Sequence, residues 1–197
     1  MVLAYHVIMT AYGFWLPNDP RGSWSDTVRA WELARFGPAT KITTRASVAN
    51  IPHNKALRLE AKGALKYEPV SFSGRQCLAI GHGFKDAIAR SGFVIHACAI
   101  LPEHTHLVVK RHRYRIELVR DQLKGQASKA LHRENLHPFA NVIMASGSPH
   151  TPWTDEGWDV FLNSPDDIYR AIAYVRQNPM KEGKPAQDWT FVKKYST

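Results

Sequence analysis

The 197-residue chain carries 26 Lys+Arg against 17 Asp+Glu, for a formal net charge of +9 and a pI near 9.7, with 44% hydrophobic residues. That apolar fraction excludes a disordered chain, and the hydrophobic runs are too short and too interrupted to span a membrane. Cys77 and Cys98 are too few for a disulfide scaffold and point to a reducing cytoplasm. The opening MVLAYHVIMTAYGF has neither a basic n-region nor a small-residue cleavage site, so no secretory leader is expected. One compact domain, with an insertion, fits the length, and the positive balance favours a polyanionic partner, most often nucleic acid.

In chain order, Leu3 to Ala11 is rich in β-branched and aromatic residues and suits a buried strand. GFWLPNDPRGSWSD is turn chemistry. From about Thr27 to Val70 the pattern is irregular, apart from the helical-looking NKALRLEAKGAL, and reads as an insertion or elaborated loop. Ser73 to Gly92 predicts a helix: Ser73 and Gln76 form a capping box, Cys77, Ile80, Phe84, Ala87 and Ile88 make the inward stripe, and Gly92 sits at the C-terminal cap. Phe93 to Ile100 and His106 to Val109 read as two neighbouring strands with a short connection.

A second helix is expected from about Arg115 to Arg133, with Ile116, Val119, Leu123, Ala127 and Ala130 on one face. Asn135 to Trp153 is loop-like with a short strand expected at Asn141 to Ala145, and Trp158 to Leu162 reads as a last strand. A final helix opens with a Ser164 cap, Pro165 and two acids, and is expected to stop at about Asn178, because Pro179 disfavours helical geometry in the residue before it. Interleaved strands and helices predict an α+β fold, one mainly antiparallel sheet with helices packed on it.

Three features carry chemistry. In His104-Thr105-His106 the histidines are two apart, so a strand turns both imidazoles to one face, where they can converge on zinc, manganese or magnesium. On the last helix Tyr174 and Asn178 lie about 40° apart on one face, whereas Tyr169, nine residues before Asn178, falls on the opposite face. Between Lys110 and Arg133 eight basic residues face two acids, giving six of the nine net charges; Lys110, Arg113, Arg120, Lys124 and Lys129 are the candidate DNA contacts, with Arg113, Arg120 and Lys124 expected to lie away from the apolar stripe as a phosphate-tracking surface.

Together, LPEHTHLVV, the basic helix and the later Tyr-x-x-x-Asn-Pro-x-x-x-Gly from Tyr174 to Gly183 resemble the single-tyrosine HUH transposases, and among them the REP-associated tyrosine transposases. Pro102 to Leu107 matches that family's Pro-Asn/Glu-His-x-His-hydrophobic strand, Trp153 and Trp158 match its aromatic stretch, and Tyr5 to Thr10 resembles its opening strand. Asp26 to Phe72 has no counterpart. The resemblance implies a ferredoxin-like core, His104, His106 and Asn178 as ligands of a divalent metal (Mg2+ or Mn2+), and Tyr174 as nucleophile. It implies nicking and rejoining of single-stranded or hairpin DNA through a 5′-phosphotyrosine, by a nucleoid-associated monomer or homodimer with no membrane partner. The rival readings are a domesticated hairpin-binding protein without strand transfer, a zinc protein using Cys98 or Cys77 with the histidines, and an RNA-binding ferredoxin-like domain.

Overall fold

A computed structural model describes residues 1–17, 19, 28, 31–39 and 54–196. Of the expected insertion, 26–72, residues 26–27, 29–30 and 40–53 lie outside the described residues. The elements are β1 (Ala4–Ala11), α1 (Lys55–Gly63), α2 (Gly74–Ser91), β2 (Ile95–Ile100), β3 (His104–Lys110), α3 (Ile116–Arg133), β4 (Trp153–Leu162) and α4 (Pro165–Lys181), with a 3-10 turn at Trp31–Phe36. The strands form one sheet in the order β2-β3-β1-β4, with every pairing antiparallel. With α2 and α3 as the crossovers, β1-α2-β2-β3-α3-β4 is the ferredoxin-like arrangement. Among the described residues no helix is long and apolar enough to cross a membrane.

Local chemistry accounts for these elements. The Ser73 hydroxyl accepts from Gln76 N–H while the Gln76 side chain accepts from Ser73 N–H, and Gly92 ends α2 in the left-handed region at φ 73°. In the strands, alternation sorts the side chains between two faces. Val7, Met9, Ile100, Leu107 and Val109 join Ile80, Phe84, Val119 and Leu123 in the main core beneath α2 and α3. On the other face Ala97, Ala99 and Val108 meet Ile168, Ile172 and Val175 of α4. The two alanines give α4 room to lie close across β2 and β3.

Three expectations need correction. β4 starts at Trp153, five residues earlier than expected, because pairing to β1 extends through Trp153 opposite Ala11. The strand expected at Asn141 to Ala145 is only an isolated bridge between Ile143 and Pro149. Finally, α4 does not stop at Asn178 but runs through Pro179 to Lys181. Pro179 sits in the last turn, where its missing N–H leaves few later hydrogen bonds to lose, and both Asn178 and Pro179 are buried.

Candidate functional site

The turn joining β2 to β3 is pinned by backbone bonds: Leu101 N–H donates to His104 O at 2.9 Å, Phe72 N–H to Pro102 O at 2.7 Å, and Ala11 N–H to Glu103 O at 2.8 Å. Glu103 is held further by Lys62 of α1, whose ammonium donates to its carboxylate at 2.8 Å. His104 and His106 leave this turn on the sheet face covered by α4, with ring centroids 4.9 Å apart. His104 packs against Phe14 at 5.4 Å and its Nε2 stands 3.4 Å from a Glu182 carboxylate oxygen. Cys98 pairs in register with Leu107 and joins the core on the opposite face, as does Cys77 from α2. The sheet therefore separates both cysteines from the histidine pair, which rules out a zinc site that combines them.

Across the sheet, register decides what the histidines meet. Ile8 stands opposite His106 and His6 opposite Val108, so His6 and His106 lie diagonally on one face of neighbouring strands. The His6 Nε2 and His106 Nδ1 atoms are 3.0 Å apart. Burial pushes the His6 imidazole down to about 4, and burial, with His104 and His6 adding to it, holds His106 well below the usual histidine range. Both rings are neutral at physiological pH.

From above, α4 brings its tyrosine to these rings. The Tyr174 centroid lies 5.6 Å from both the His6 and His106 centroids, edge-on to each. Lys181 Nζ sits 4.9 Å from the centre of the same ring. Desolvation raises the phenol above its ordinary range, the Glu182 carboxylate adds to the rise, and the Asn178 amide opposes it. Asn178 is 6% exposed, and its Nδ2 is buried without a hydrogen-bond partner. Tyr169 points elsewhere: it is half exposed and packs edge-on against Tyr195 at 5.2 Å.

The structure thus brings His104, His106, Tyr174 and Asn178 to one site and adds His6, Lys181 and Glu182. Reading the sequence missed Lys181 and Glu182 because the helix was ended at Asn178. Continued helical spacing places Glu182 four residues beyond Asn178, on the same face. No sequence signal singles out His6, since only the register of β1 on β3 sets it beside His106.

The basic helix divides differently from the expectation. Lys110, Arg113 and Lys129 are exposed. Arg120 and Lys124 are each 7% exposed and lie on the buried side of α3. Arg120 donates to Asp159 Oδ2 of β4, and Lys124 Nζ donates to the carbonyls of Thr154, Asp155 and Glu156 at 2.6, 3.2 and 2.9 Å. These two cations fasten α3 to β4 and present no charge to a polyanion, a correction to their expected place on a phosphate-tracking surface. The β4 carbonyls and Asp159 supply the inward partners that helical spacing alone does not reveal.

An α+β protein with a ferredoxin-like sheet and a tyrosine helix over a histidine pair is what fold and site together define. No protein-family model and no curated protein matches the chain. Among solved structures it is similar to a REP-associated tyrosine transposase bound to a REP hairpin, at 15% identity and a TM-score of 0.48, covering 96% of this chain and 74% of that one. It is also similar to a candidate transposase from Deinococcus radiodurans, at 11% identity and a TM-score of 0.39, covering 94% of each chain.

Proposed function

We propose that the chain is a tyrosine-nucleophile DNA strand transferase acting on single-stranded or hairpin DNA. The observation that carries this reading is the placement of the Tyr174 phenol edge-on to His106, with Asn178 buried one turn further along the same helix. A phenol beside neutral imidazoles suits transesterification. The Tyr174 oxygen bonds to phosphorus as its proton departs, and the 3′-oxygen leaves, taking up a proton to become a free hydroxyl. The 5′-phosphotyrosine conserves the ester, so a second 3′-hydroxyl can reverse the step and rejoin strands. Lys181, close to the phenol ring, adds positive charge where negative charge develops.

The residues fit a divalent ion, on two grounds. His106 is neutral and so able to ligate, and Asn178, buried on α4 one turn beyond Tyr174, carries an amide oxygen, a hard donor suited to Mg2+ or Mn2+. Among the described residues no three His, Cys, Asp or Glu side chains are grouped to hold an ion. His104 and His106 would therefore depend on the Asn178 oxygen as third donor. An ion bound there supplies Lewis-acid polarisation of a non-bridging phosphate oxygen. The protein's own part is to orient the phosphate beneath Tyr174 and to hold DNA through Lys110, Arg113 and Lys129.

Incubation of the protein with labelled hairpin DNA and Mg2+ or Mn2+ tests the proposal. Wild type forms an SDS-resistant adduct and Tyr174→Phe does not. Hairpin binding with no adduct under either metal would instead identify a binding module, and an adduct lost only in Tyr169→Phe would overturn the choice of nucleophile.

A further inference from the structure

We infer that His6 is a positioning residue for His106: it accepts a hydrogen bond from His106 Nδ1–H and thereby turns the bare Nε2 of His106 toward the phenol site. The inference rests on the reading above for its purpose, and on geometry for its content. The two nitrogens stand 3.0 Å apart, hydrogen-bonding distance for N–H···N. At that separation one ring nitrogen donates and the other accepts, so the contact holds a single proton. If His6 donated that proton, the N–H of His106 would be at Nε2, the only other ring nitrogen, and its lone pair would be spent on His6. If His106 donates, its Nε2 lone pair is free to take a proton or ligate an ion. A histidine that serves a site through one nitrogen is ordinarily fixed by a hydrogen bond at the other.

The surroundings restrain His6 for this task. It sits on β1, whose neighbours β3 and β4 are both paired to it, so its backbone is locked on two sides. Its ring is tilted against His106 with centroids 5.2 Å apart and edge-on to Tyr174 at 5.6 Å, which leaves little rotational freedom. His6 thus touches both the histidine strand and the tyrosine helix from a third element.

Long-range 1H–15N NMR of the imidazoles at neutral pH reads the tautomer directly, without DNA or metal. Wild-type His106 is expected in the Nδ1–H form, and His6→Phe, which keeps a ring against Tyr174 but removes the acceptor, shifts it toward the Nε2–H form. His6→Gln, whose amide oxygen can accept, restores the Nδ1–H form. Wild-type His106 protonated at Nε2, or a tautomer unchanged in His6→Phe, overturns the inference. The wild-type spectrum alone decides if the Phe variant fails to fold. In the adduct assay, His6→Phe raises the Mn2+ concentration for half-maximal adduct by roughly 10–100-fold and His6→Gln recovers most of that loss. Absence of any adduct in wild type would refute the proposed function and leave the tautomer result standing on its own.

Discussion

Arg120 of α3 and Asp159 of β4 form an ion pair at 2.5 Å, with side chains only 9% and 13% exposed. The pair is incompletely satisfied, because Arg120 Nε and Asp159 Oδ1 are buried without partners. Burial raises the Asp159 carboxyl above the usual range, and the Arg120 guanidinium holds it down only in part. Removing the arginine alone leaves a buried carboxylate unpaired. Arg120→Met is therefore expected to cost about 3 kcal/mol and to lower Tm by roughly 6–12 °C in a calorimetric scan. Arg120→Met combined with Asp159→Leu recovers most of this loss; a double variant as unstable as the single would refute the account.

Lys124 responds to pH. Burial, with the nearby Arg120, depresses its ammonium to about 8 from 10.5. The unfolded chain then binds more protons than the folded one between those values, so stability rises with pH across that window. Measured by urea denaturation, wild type is expected to gain up to about 3 kcal/mol relative to Lys124→Met between pH 8 and 10.5. A constant difference across that range contradicts the prediction.

DNA affinity separates the exposed cations from the buried ones. Lys110→Ala, Arg113→Ala and Lys129→Ala each reduce the slope of log affinity against log salt by about 0.7–0.9 for a labelled hairpin. Lys124→Met alters stability and leaves that slope unchanged. A slope that drops equally for Lys124→Met would return this residue to the binding surface.

Glu182 raises the Tyr174 phenol by its negative charge. A phenol that must lose its proton to attack works better when that charge is gone, so Glu182→Gln moves the pH profile of adduct formation to lower pH. At fixed pH below the phenol value the single-turnover rate rises, by about threefold for a partly exposed charge. A profile displaced to higher pH would show that the carboxylate acts chiefly through His104.

Gly83 of α2 faces the backbone of Ala127 in α3, where an added Cβ would lie 2.5 Å from the Ala127 Cα and the Gln126 carbonyl oxygen. Backbone cannot yield as a flexible side chain can. Gly83→Ala is expected to force the helices apart and lower stability by about 1–3 kcal/mol in chemical denaturation.

Much of this was legible in the linear chain. Helix caps are local chemistry, so Ser73, Gln76, Gly92, Ser164 and Pro165 announced the ends of α2 and the start of α4 within a residue or two. The histidine pair and the Tyr174–Asn178 face follow from periods of two and 3.6, which are properties of the backbone alone. The end of α4 is not legible in the sequence, because burial of Asn178 and Pro179 outweighs the local preference of a proline.

What the sequence by itself determined is which side chains share a face within each element: two imidazoles on one strand side, a phenol and an amide on one helix side. Only the tertiary structure decided which faces meet. The register of β1 on β3 set His6 against His106, and the approach of α3 to β4 turned Arg120 and Lys124 inward. Periodicity fixes direction about an element's own axis, whereas partners depend on contacts between residues about a hundred positions apart in the first case and thirty to forty in the second.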